Sequence, residues 1–311
     1  MNSLRLTAIT FILGLALVCV MAVGWRGVAA PTLAVSSEPI VNVAAFAPAG
    51  LKKAPWEGEP EAKAPAAKVG GKAGGVGNIV VVELFTSEGC SSCPPADKVL
   101  SDLAERHGAD VWFFPLTYHV DYWDYLGWKD RFADAAYTRR QREYAATFAD
   151  KGVYTPQLVV NGEKGFVGSD RAKADAAIKE ARGRAGAAGA AGAVTVSATI
   201  GAIKAGETIK VEMTIAAGSS VAAPDVQLVA CLVEDGLKSK VTAGENQGRE
   251  LHHDRVVRAM ADAAAGKDGR AAVELRVPGD AKAEKCRVVV MAQKEGGRVV
   301  GAAVAASTSK P

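Results

Sequence analysis

The chain has 311 residues, of which 49% are hydrophobic, 6% aromatic and 23% charged, and its formal net charge is +3. This length suits about two domains, and the composition is that of a globular protein rather than of a disordered chain. The small net charge, with no run of five basic residues anywhere in the sequence, argues against a nucleic-acid partner.

Residues 1–30 have the layout of an export signal. A basic residue precedes an almost uncharged apolar run at 8–24, and small residues follow it. The alternative is an uncleaved anchor, in which residues 8–24 would tether the protein to the membrane. Either interpretation predicts a periplasmic or secreted protein, and Cys19 is interpreted as part of the apolar run. Residues 31–77, rich in Ala, Pro, Gly and Lys, predict a flexible linker.

Residues 78–182 alternate strand and helix signals. Strands are expected at 79–85, 111–117 and 157–161, and helices at 94–107, 133–149 and 170–181. This alternation predicts an α/β domain.

Residues 183–193 are nearly all Gly and Ala and predict a hinge, after which the pattern changes. Short alternating apolar runs bounded by turn residues follow at 194–200, 208–215, 226–233, 272–277, 286–291 and 299–304. They predict a β-sandwich-like domain over residues 194–307. The charged stretch at 248–260 interrupts this rhythm, and an edge strand, a short helix and a loop all stay open for it.

Cys90 and Cys93 are separated by two serines and lie between a strand-like and a helix-like run. A sulfur in this position emerges at the carboxyl edge of the sheet, where α/β folds place their chemistry. Cys90 is the expected attacking thiol and Cys93 the expected resolving thiol of a dithiol pair. Pro94 and Pro95 suit only a first helical turn, so the helix is expected to begin near Cys93, and the dipole contribution to Cys90 stays open.

At the entrance of the third predicted strand, Thr155 precedes Pro156 in a position well suited to a cis peptide bond. Together with the C-x-x-C motif, this arrangement resembles the thioredoxin superfamily, in which the motif faces a cis-proline loop that presents backbone groups to a bound peptide. The resemblance implies a thioredoxin-like fold with Cys90 and Cys93 as the redox pair. It also implies a substrate-binding role for Thr155 and Pro156.

The chain is more closely similar to a bacterial exported thioredoxin-like family called domain of unknown function 1223. The similarity is carried by Val82–Asp97, His119–Asp124 and Val153–Gln157, and it continues at Gly244–Asn246 and Val256–Arg258. This family name implies a fold and no assured activity. The chain departs from ordinary thioredoxin in three ways: no Trp precedes the first cysteine, Ser-Ser replaces Gly-Pro between the thiols, and about sixty residues separate Cys93 from Pro156. A helical and aromatic insertion fills part of that gap. These differences leave the substrate and the direction of electron flow open.

The resemblance also places Glu83 near the buried acid that moves protons for the resolving thiol of thioredoxins, shifted by one residue. An inward-pointing Glu83 would be a usable base near neutrality because of its desolvation. The alternative is a solvated glutamate at the edge of the sheet.

His119 follows the second predicted strand, at the same sheet edge as the cysteines. It either contacts the thiols and the substrate, or joins a hydrogen-bond network with Asp121 and Asp124, which is the favoured interpretation. The aromatic side chains that follow offer a partner peptide an apolar platform, or else pack the insertion onto its domain: Tyr122, Trp123, Tyr125 and Trp128. We take His119, Tyr122 and Trp123 as candidate substrate-binding residues. The adjacent His252 and His253 would point to opposite faces of a strand, so no metal site is predicted there.

Cys231 and Cys286 each lie in a strand-like run. In an oxidising compartment they predict a structural disulfide between neighbouring strands. Two separate buried thiols are the alternative.

These features together predict an exported thiol-disulfide oxidoreductase whose partners are protein or peptide thiols and disulfides, with no dissociable cofactor because the thiols carry the electrons. One alternative is a non-catalytic binding protein in which the Cys90–Cys93 disulfide is a structural staple. Another is a copper- or zinc-handling protein that uses Cys90, Cys93 and His119. Oxidation, reduction and isomerisation all stay open as the direction of the chemistry.

Overall fold

The computed structural model describes residues 79–108, 110–187, 193–216 and 225–308. The helices in this part of the chain are α1 (Pro94–His107), α2 (Ala135–Thr147) and α3 (Arg171–Ala187). The strands are β1 (Val80–Thr86), β2 (Phe113–His119), β3 (Gln157–Val160), β4 (Lys164–Val167), β5 (Val196–Ile200), β6 (Thr208–Ile215), β7 (Gln227–Glu234), β8 (Leu237–Lys240), β9 (Glu250–His253), β10 (Val256–Ala264), β11 (Arg270–Arg276), β12 (Cys286–Gln293), β13 (Val299–Val304) and β14 (Ala306–Ser307). No helix among the described residues is long and apolar enough to cross a membrane. The expected signal or anchor at 1–30 and the linker at 31–77 lie outside the described residues.

Eight strands form one sheet in the order β13-β12-β7-β10-β2-β1-β3-β4. β1 and β2 are parallel, and β3 and β4 continue the sheet as an antiparallel hairpin. On the other side of β2, Val256 of β10 pairs in parallel with Thr117, and the Thr117 N–H donates to the Arg255 carbonyl at 2.8 Å. The two halves of the chain therefore meet along the edge of β2.

The structure differs here from the expected pair of separate domains divided by a hinge at 183–193. α3 continues to Ala187, and strands from both halves share one sheet. The physical reason is the edge of β2, whose backbone groups would otherwise stay unpaired. The sequence could not indicate this pairing, because a strand's neighbour depends on residues far away in the chain.

The two faces of the eight-stranded sheet are covered differently. α2 packs on one face, where Tyr137 and Tyr144 meet Phe85 of β1 and apolar residues of β2, β7 and β12. α1 and α3 pack on the other face, against Val82 and Leu84 of β1. Because side chains alternate along a strand, neighbouring residues of β1 face different helices. Both faces of β1 are buried, which explains why its sequence is almost continuously apolar.

A second sheet of four strands, in the order β11-β6-β5-β14, covers the remaining part of the face that carries α1. Its apolar residues, such as Val211 and Met213 of β6, share one core with Leu232 of β7 and Val290 of β12. The alternating burial of β5 and β6 matches the two-residue period in their sequences. The bounds of β6 and β13 are those expected from the sequence, and the charged stretch at 248–260 forms β9 and the first part of β10.

Candidate functional site

Cys90 and Cys93 form a disulfide bond, with their Cα atoms 5.4 Å apart. Cys90 lies in the loop after β1, and Cys93 is the N-terminal cap of α1. Pro94 occupies the first helical position, where its missing N–H has no partner to lose, so the predicted helix start is confirmed. Both cysteines are 0% exposed, whereas Ser91 and Ser92 between them are exposed. The sulfurs are therefore reached by a partner only after this loop rearranges.

The Thr155–Pro156 peptide bond is cis, as predicted, and it lies next to the start of α1. Gly168 separates the two: a Cβ atom added to it would lie 3.2 Å from the Ala96 Cβ of α1 and 3.5 Å from the Pro156 Cβ. Trp123 also connects this loop to the disulfide loop. Its Nε1–H donates to the Thr155 hydroxyl at 2.8 Å, and its Cβ would lie 3.0 Å from a Cβ added to Gly89.

Tyr122 and Trp123, the predicted aromatic platform, are both half-buried and pack against the core under α2. The Tyr122 hydroxyl donates to Gln141 Oε1 at 3.1 Å, and burial raises the pKa of Tyr122 to about 12. Tyr125 is 79% exposed, which leaves it free to contact a partner. These contacts give Tyr122 and Trp123 a packing role, and Thr155 uses its hydroxyl to hold Trp123.

His119 is 0% exposed, so a substrate that stays at the surface does not reach it. Its Nδ1 lies 2.6 Å from Asp130 Oδ2. Burial alone would lower the pKa of His119, but the Asp130 carboxylate raises it, and the net shift is upward. The expected substrate-binding role of His119 is therefore replaced by a buried ion pair. Asp121 and Asp124 have structural contacts too, with the Thr138 hydroxyl and the Asp130 N–H.

His119 belongs to a group of buried ionisable side chains beneath the disulfide loop, which we call the acid–histidine cluster: Glu88, Asp97, His119, Asp130 and His253. Each is at most 9% exposed. Glu88 is its hub, because its carboxylate lies 3.2 Å from His253 Nε2 and accepts from Trp128 Nε1 at 2.8 Å, while its N–H donates to Asp130 at 2.9 Å. The two imidazole rings meet edge to face, with centroids 4.8 Å apart.

Asp97 connects this cluster to the disulfide. It lies one helical turn after Cys93, and its N–H donates to the Cys93 carbonyl at 3.1 Å, so the two side chains share a helix face. Desolvation raises the pKa of Asp97, although His253, with Nδ1 3.8 Å from Asp97 Oδ2, and His119 oppose the shift. Asp97 Oδ1 makes no hydrogen bond of normal geometry among the described residues, although the nearby Thr86 hydroxyl also acts to lower the pKa of Asp97. It is a buried carboxyl oxygen able to exchange a proton with a neighbour.

Glu83 does not have the position that the resemblance implied. It is 0% exposed, its carboxylate binds Arg140 Nε at 2.7 Å, and the Tyr144 hydroxyl donates to it at 2.5 Å. Side-chain alternation places Glu83 on the face of β1 that α2 covers, whereas α1 and Cys93 lie on the other face. The expected proton-transfer role of Glu83 is corrected accordingly: it is part of a buried ion pair with α2.

Cys231 and Cys286 are free thiols, which corrects the expected structural disulfide. They do lie on neighbouring antiparallel strands, but Cys231 is opposite Val289 and Cys286 is opposite Glu234. This offset of three residues directs them to opposite faces of the sheet, since side chains alternate along a strand. Burial raises the pKa of both thiols to about 12.

Residues Gly244–Asn246, which we call the clasp, come from the loop between β8 and β9 and hold the disulfide loop. Asn246 is fully buried, and its Nδ2 donates to the carbonyls of Glu88 and Cys90 at 2.9 and 2.8 Å. Glu245 Oε2 accepts from the Ser91 N–H at 2.9 Å and from the Ser91 hydroxyl at 2.7 Å. A segment more than 150 residues away in sequence therefore completes the site.

Sequence reasoning assigned no role to Asp97, Glu245, Asn246 or His253. Weak signals were present: Asp97 follows Cys93 at helical spacing, and Gly244–Asn246 carries part of the family resemblance. His252 and His253 do face opposite sides of β9, and only His253 is buried. Within the described residues, no three His, Cys, Asp or Glu side chains are arranged to hold a metal ion.

Comparison with known proteins gives a family and two informative structures. The model of a family described as "Protein of unknown function (DUF1223)" matches residues 81–293, more than half of the chain. A crystal structure of a protein from Agrobacterium tumefaciens is 26% identical with a TM-score of 0.51, and the match covers 75% of this chain and 96% of that one. HBP35 of Porphyromonas gingivalis is 16% identical with a TM-score of 0.50, covering 76% and 79%, so its similarity concerns the fold alone. No curated protein matches the chain.

Proposed function

The chain belongs to the family described as "Protein of unknown function (DUF1223)", a description that assigns no activity, and we propose that it is an exported thiol-disulfide oxidoreductase of thioredoxin-like type. The observation that carries the proposal is the Cys90–Cys93 disulfide at the start of α1, next to the cis peptide bond before Pro156. A short dithiol loop at a helix N-terminus favours thiolate chemistry. A cis-proline loop that faces the dithiol is the peptide-binding element of the thioredoxin superfamily, which this part of the chain resembles.

The topology around the disulfide supports the thioredoxin-like part of the proposal. The order β1-α1-β2 with parallel strands is followed, after α2, by the antiparallel pair β3-β4 and by α3. The cysteines lie at the carboxyl end of β1, the sheet edge where such folds place their chemistry. Under this proposal α2 and the aromatic residues before it are the insertion. Of the later strands, β7, β10, β12 and β13 extend the same sheet, whereas β5, β6, β11 and β14 form the second sheet.

The proposed chemistry is a two-step exchange. In the reduced protein, the Cys90 thiolate attacks a disulfide of the partner, so a Cys90–S–S–partner bond forms and one partner sulfur leaves as a thiolate. The Cys93 thiol then gives its proton to the Asp97 carboxylate and attacks Cys90, so the Cys90–Cys93 bond forms and the second partner thiolate leaves. The partner's disulfide is thereby reduced and the dithiol oxidised. The reverse sequence oxidises a partner dithiol with the same groups.

Asp97 takes the proton-transfer role in this proposal because of its place in the fold. It is buried on the Cys93 face of α1, and one of its oxygens makes no hydrogen bond of normal geometry among the described residues. A carboxyl whose pKa lies above its usual range is a more effective base near neutrality than an ordinary aspartate. The proposed partners are protein or peptide thiols and disulfides outside the cytoplasm, where the apolar segment at 8–24 would direct the chain.

The reduction potential of the Cys90–Cys93 pair tests the proposal. The full chain would be equilibrated with glutathione buffers, its free thiols alkylated and the protein digested with trypsin. Cleavage after Lys72 and Lys98 releases one peptide, 73–98, whose only cysteines are Cys90 and Cys93. A potential between roughly −270 and −120 mV supports exchange chemistry, and one well below about −300 mV contradicts it.

Trapping variants add a second test. Cys93→Ser should accumulate a mixed disulfide through Cys90 in non-reducing gels of the exporting cell, whereas Cys90→Ser should trap nothing because the attacking thiol is gone. Cys286→Ser is the matched control, since it removes a free thiol far from the disulfide in sequence and should leave the trapped species unchanged.

One observation favours a second candidate, a non-catalytic binding protein in which the disulfide is a structural staple. Both cysteines are fully buried under the clasp and the aromatic residues. A disulfide that a partner cannot reach serves only the fold. In that case the measured potential would lie below about −300 mV, and Cys93→Ser would trap no partner.

A further inference from the structure

The clasp places the Glu245 carboxylate beside the disulfide loop. Glu245 lies at the surface, and the Ser91 N–H and hydroxyl hold the pKa of its carboxyl below the usual range. Within the described part of the chain, no Lys, Arg or His forms a salt bridge with Glu245. Its negative charge is therefore directed at Ser91, the residue that follows Cys90 in the disulfide loop.

Three backbone donors of this loop point away from Cys90 Sγ, which leaves the Ser92 hydroxyl, 3.3 Å from that sulfur, as the contact that can stabilise a thiolate. A thiolate at a helix start is stabilised by nearby N–H groups. The Cys93 N–H donates to the Cys90 carbonyl at 3.2 Å, and the Cys90 N–H donates to the Ser87 carbonyl at 3.2 Å. The Ser91 N–H is occupied by Glu245. Glu245 thus takes a donor from the vicinity of Cys90 and adds a negative charge there.

The disulfide carries no charge and loses nothing to these contacts, whereas a Cys90 thiolate would face the carboxylate across Ser91. We propose that Glu245 is a positioning residue that favours the Cys90–Cys93 disulfide over the dithiol and so lowers the reduction potential of the pair. The half-reaction adds two electrons and two protons to the disulfide, and a thiol reductant such as glutathione supplies them as it becomes a disulfide. The inference rests on the proposed function for its biological use.

Glu245→Gln in the full chain isolates the charge, because the glutamine amide oxygen still accepts from Ser91. After equilibration with glutathione buffers, the alkylation state of peptide 73–98 gives the thiol–disulfide equilibrium constant. We expect the variant to shift this constant about two- to fivefold toward the dithiol, a magnitude typical of one exposed charge. This shift equals about 10 to 20 mV. The rate of Cys90 alkylation in the reduced protein should also have its pH midpoint at a lower pH.

Glu250→Gln is the matched control, since it removes another exposed glutamate from the same β8–β9 hairpin, paired with His252. It should leave the constant unchanged. Salt gives a second readout that a merely structural role would not produce: in 1 M NaCl, where the Debye length is about 3 Å, the difference between Glu245→Gln and the unchanged protein should shrink. Glu245→Asp, which keeps the charge on a shorter side chain, separates charge from contact and should shift the constant less than Glu245→Gln.

Equal constants for Glu245→Gln and the unchanged protein would overturn the inference, as would an equal shift in Glu250→Gln. The proposed function fails separately. If both proteins have potentials below about −300 mV but still differ by the expected amount, the role of Glu245 stands and the oxidoreductase proposal does not.

Discussion

The Asn246→Ala substitution tests whether the clasp keeps the disulfide closed. Asn246 is 0% exposed, and its amide donates to the carbonyls of Glu88 and Cys90 at 2.9 and 2.8 Å. Removing it deletes both hydrogen bonds, together with the one that Asn246 Oδ1 accepts from Arg249 at 2.9 Å. The two buried carbonyls lose this donor, at about 1 to 2 kcal/mol each. The free energy needed to open the loop should therefore fall by the sum, about 2 to 4 kcal/mol.

The assay is the rate at which glutathione reduces the Cys90–Cys93 disulfide, followed through the masses of peptide 73–98. Because both cysteines are 0% exposed, the reductant reaches them only in an opened loop. At 1.4 kcal/mol per factor of ten, this decrease in the opening free energy makes reduction roughly 30-fold to several hundred-fold faster in Asn246→Ala. Urea unfolding of the same samples measures how much of the change is global.

Asn161→Ala is the matched control. Asn161 also bridges two backbone groups of the β1 region, the Val81 N–H at 2.7 Å and the Ile79 carbonyl at 3.2 Å, but at the opposite end of the strand from the disulfide. It should destabilise the protein without accelerating reduction. The reasoning is refuted if Asn246→Ala is reduced at the rate of the unchanged protein, or if Asn161→Ala accelerates reduction equally.

Three further predictions concern buried groups around the site. The pKa of Asp97 is raised in the folded protein. The contribution of the protonated carboxyl to stability is therefore complete below pH 3.8 and is lost as the pH rises through the pKa of the folded state. Asp97→Asn should raise the unfolding temperature at pH 7 and change it little at pH 3. Arg140→Met leaves the buried Glu83 carboxylate without its guanidinium and should cost about 3 to 5 kcal/mol in urea unfolding, and a loss under about 1 kcal/mol would contradict the buried ion pair. The pKa of Cys231 is about 12, so iodoacetamide at pH 8 should leave it unmodified in the folded protein and alkylate it in urea, whereas rapid alkylation of the folded protein would contradict its burial.

Local signals in the sequence were sufficient for the elements that they specify. Two prolines after Cys93 and apolar residues at helical spacing predicted α1 with the bounds that it has. The residue before Pro156 and the strand that follows predicted the cis bond. Short apolar runs bounded by turn residues predicted β6 and β13. In each case the pattern that determines the element lies within about ten neighbouring residues, and tertiary contacts do not override it.

The remaining features depend on which distant elements meet. Glu83 was placed near the correct end of β1, but which face it uses follows from the strand register, and a shift by one residue reverses every side chain. The free thiols Cys231 and Cys286 lie on paired strands, yet their offset of three residues is fixed only by the pairing of β7 with β12. His253 and Asn246 reach the disulfide loop through the pairing of β10 with β2, for which the sequence carries no local signal.

The same pairing explains why the site needs the C-terminal half of the chain. β10 lies beside β2, and the β8–β9 hairpin that precedes β10 extends over the carboxyl end of β1, where the disulfide loop begins. One hairpin thus brings His253 to Asp97 on the buried side of the loop and Glu245 to Ser91 on its exposed side. When the disulfide loop opens, it must give up contacts with this hairpin on both sides. Under the proposed function, a partner that reaches Cys90 therefore acts against the β8–β9 hairpin as well as against the disulfide, and contacts that replace the clasp would favour its reaction.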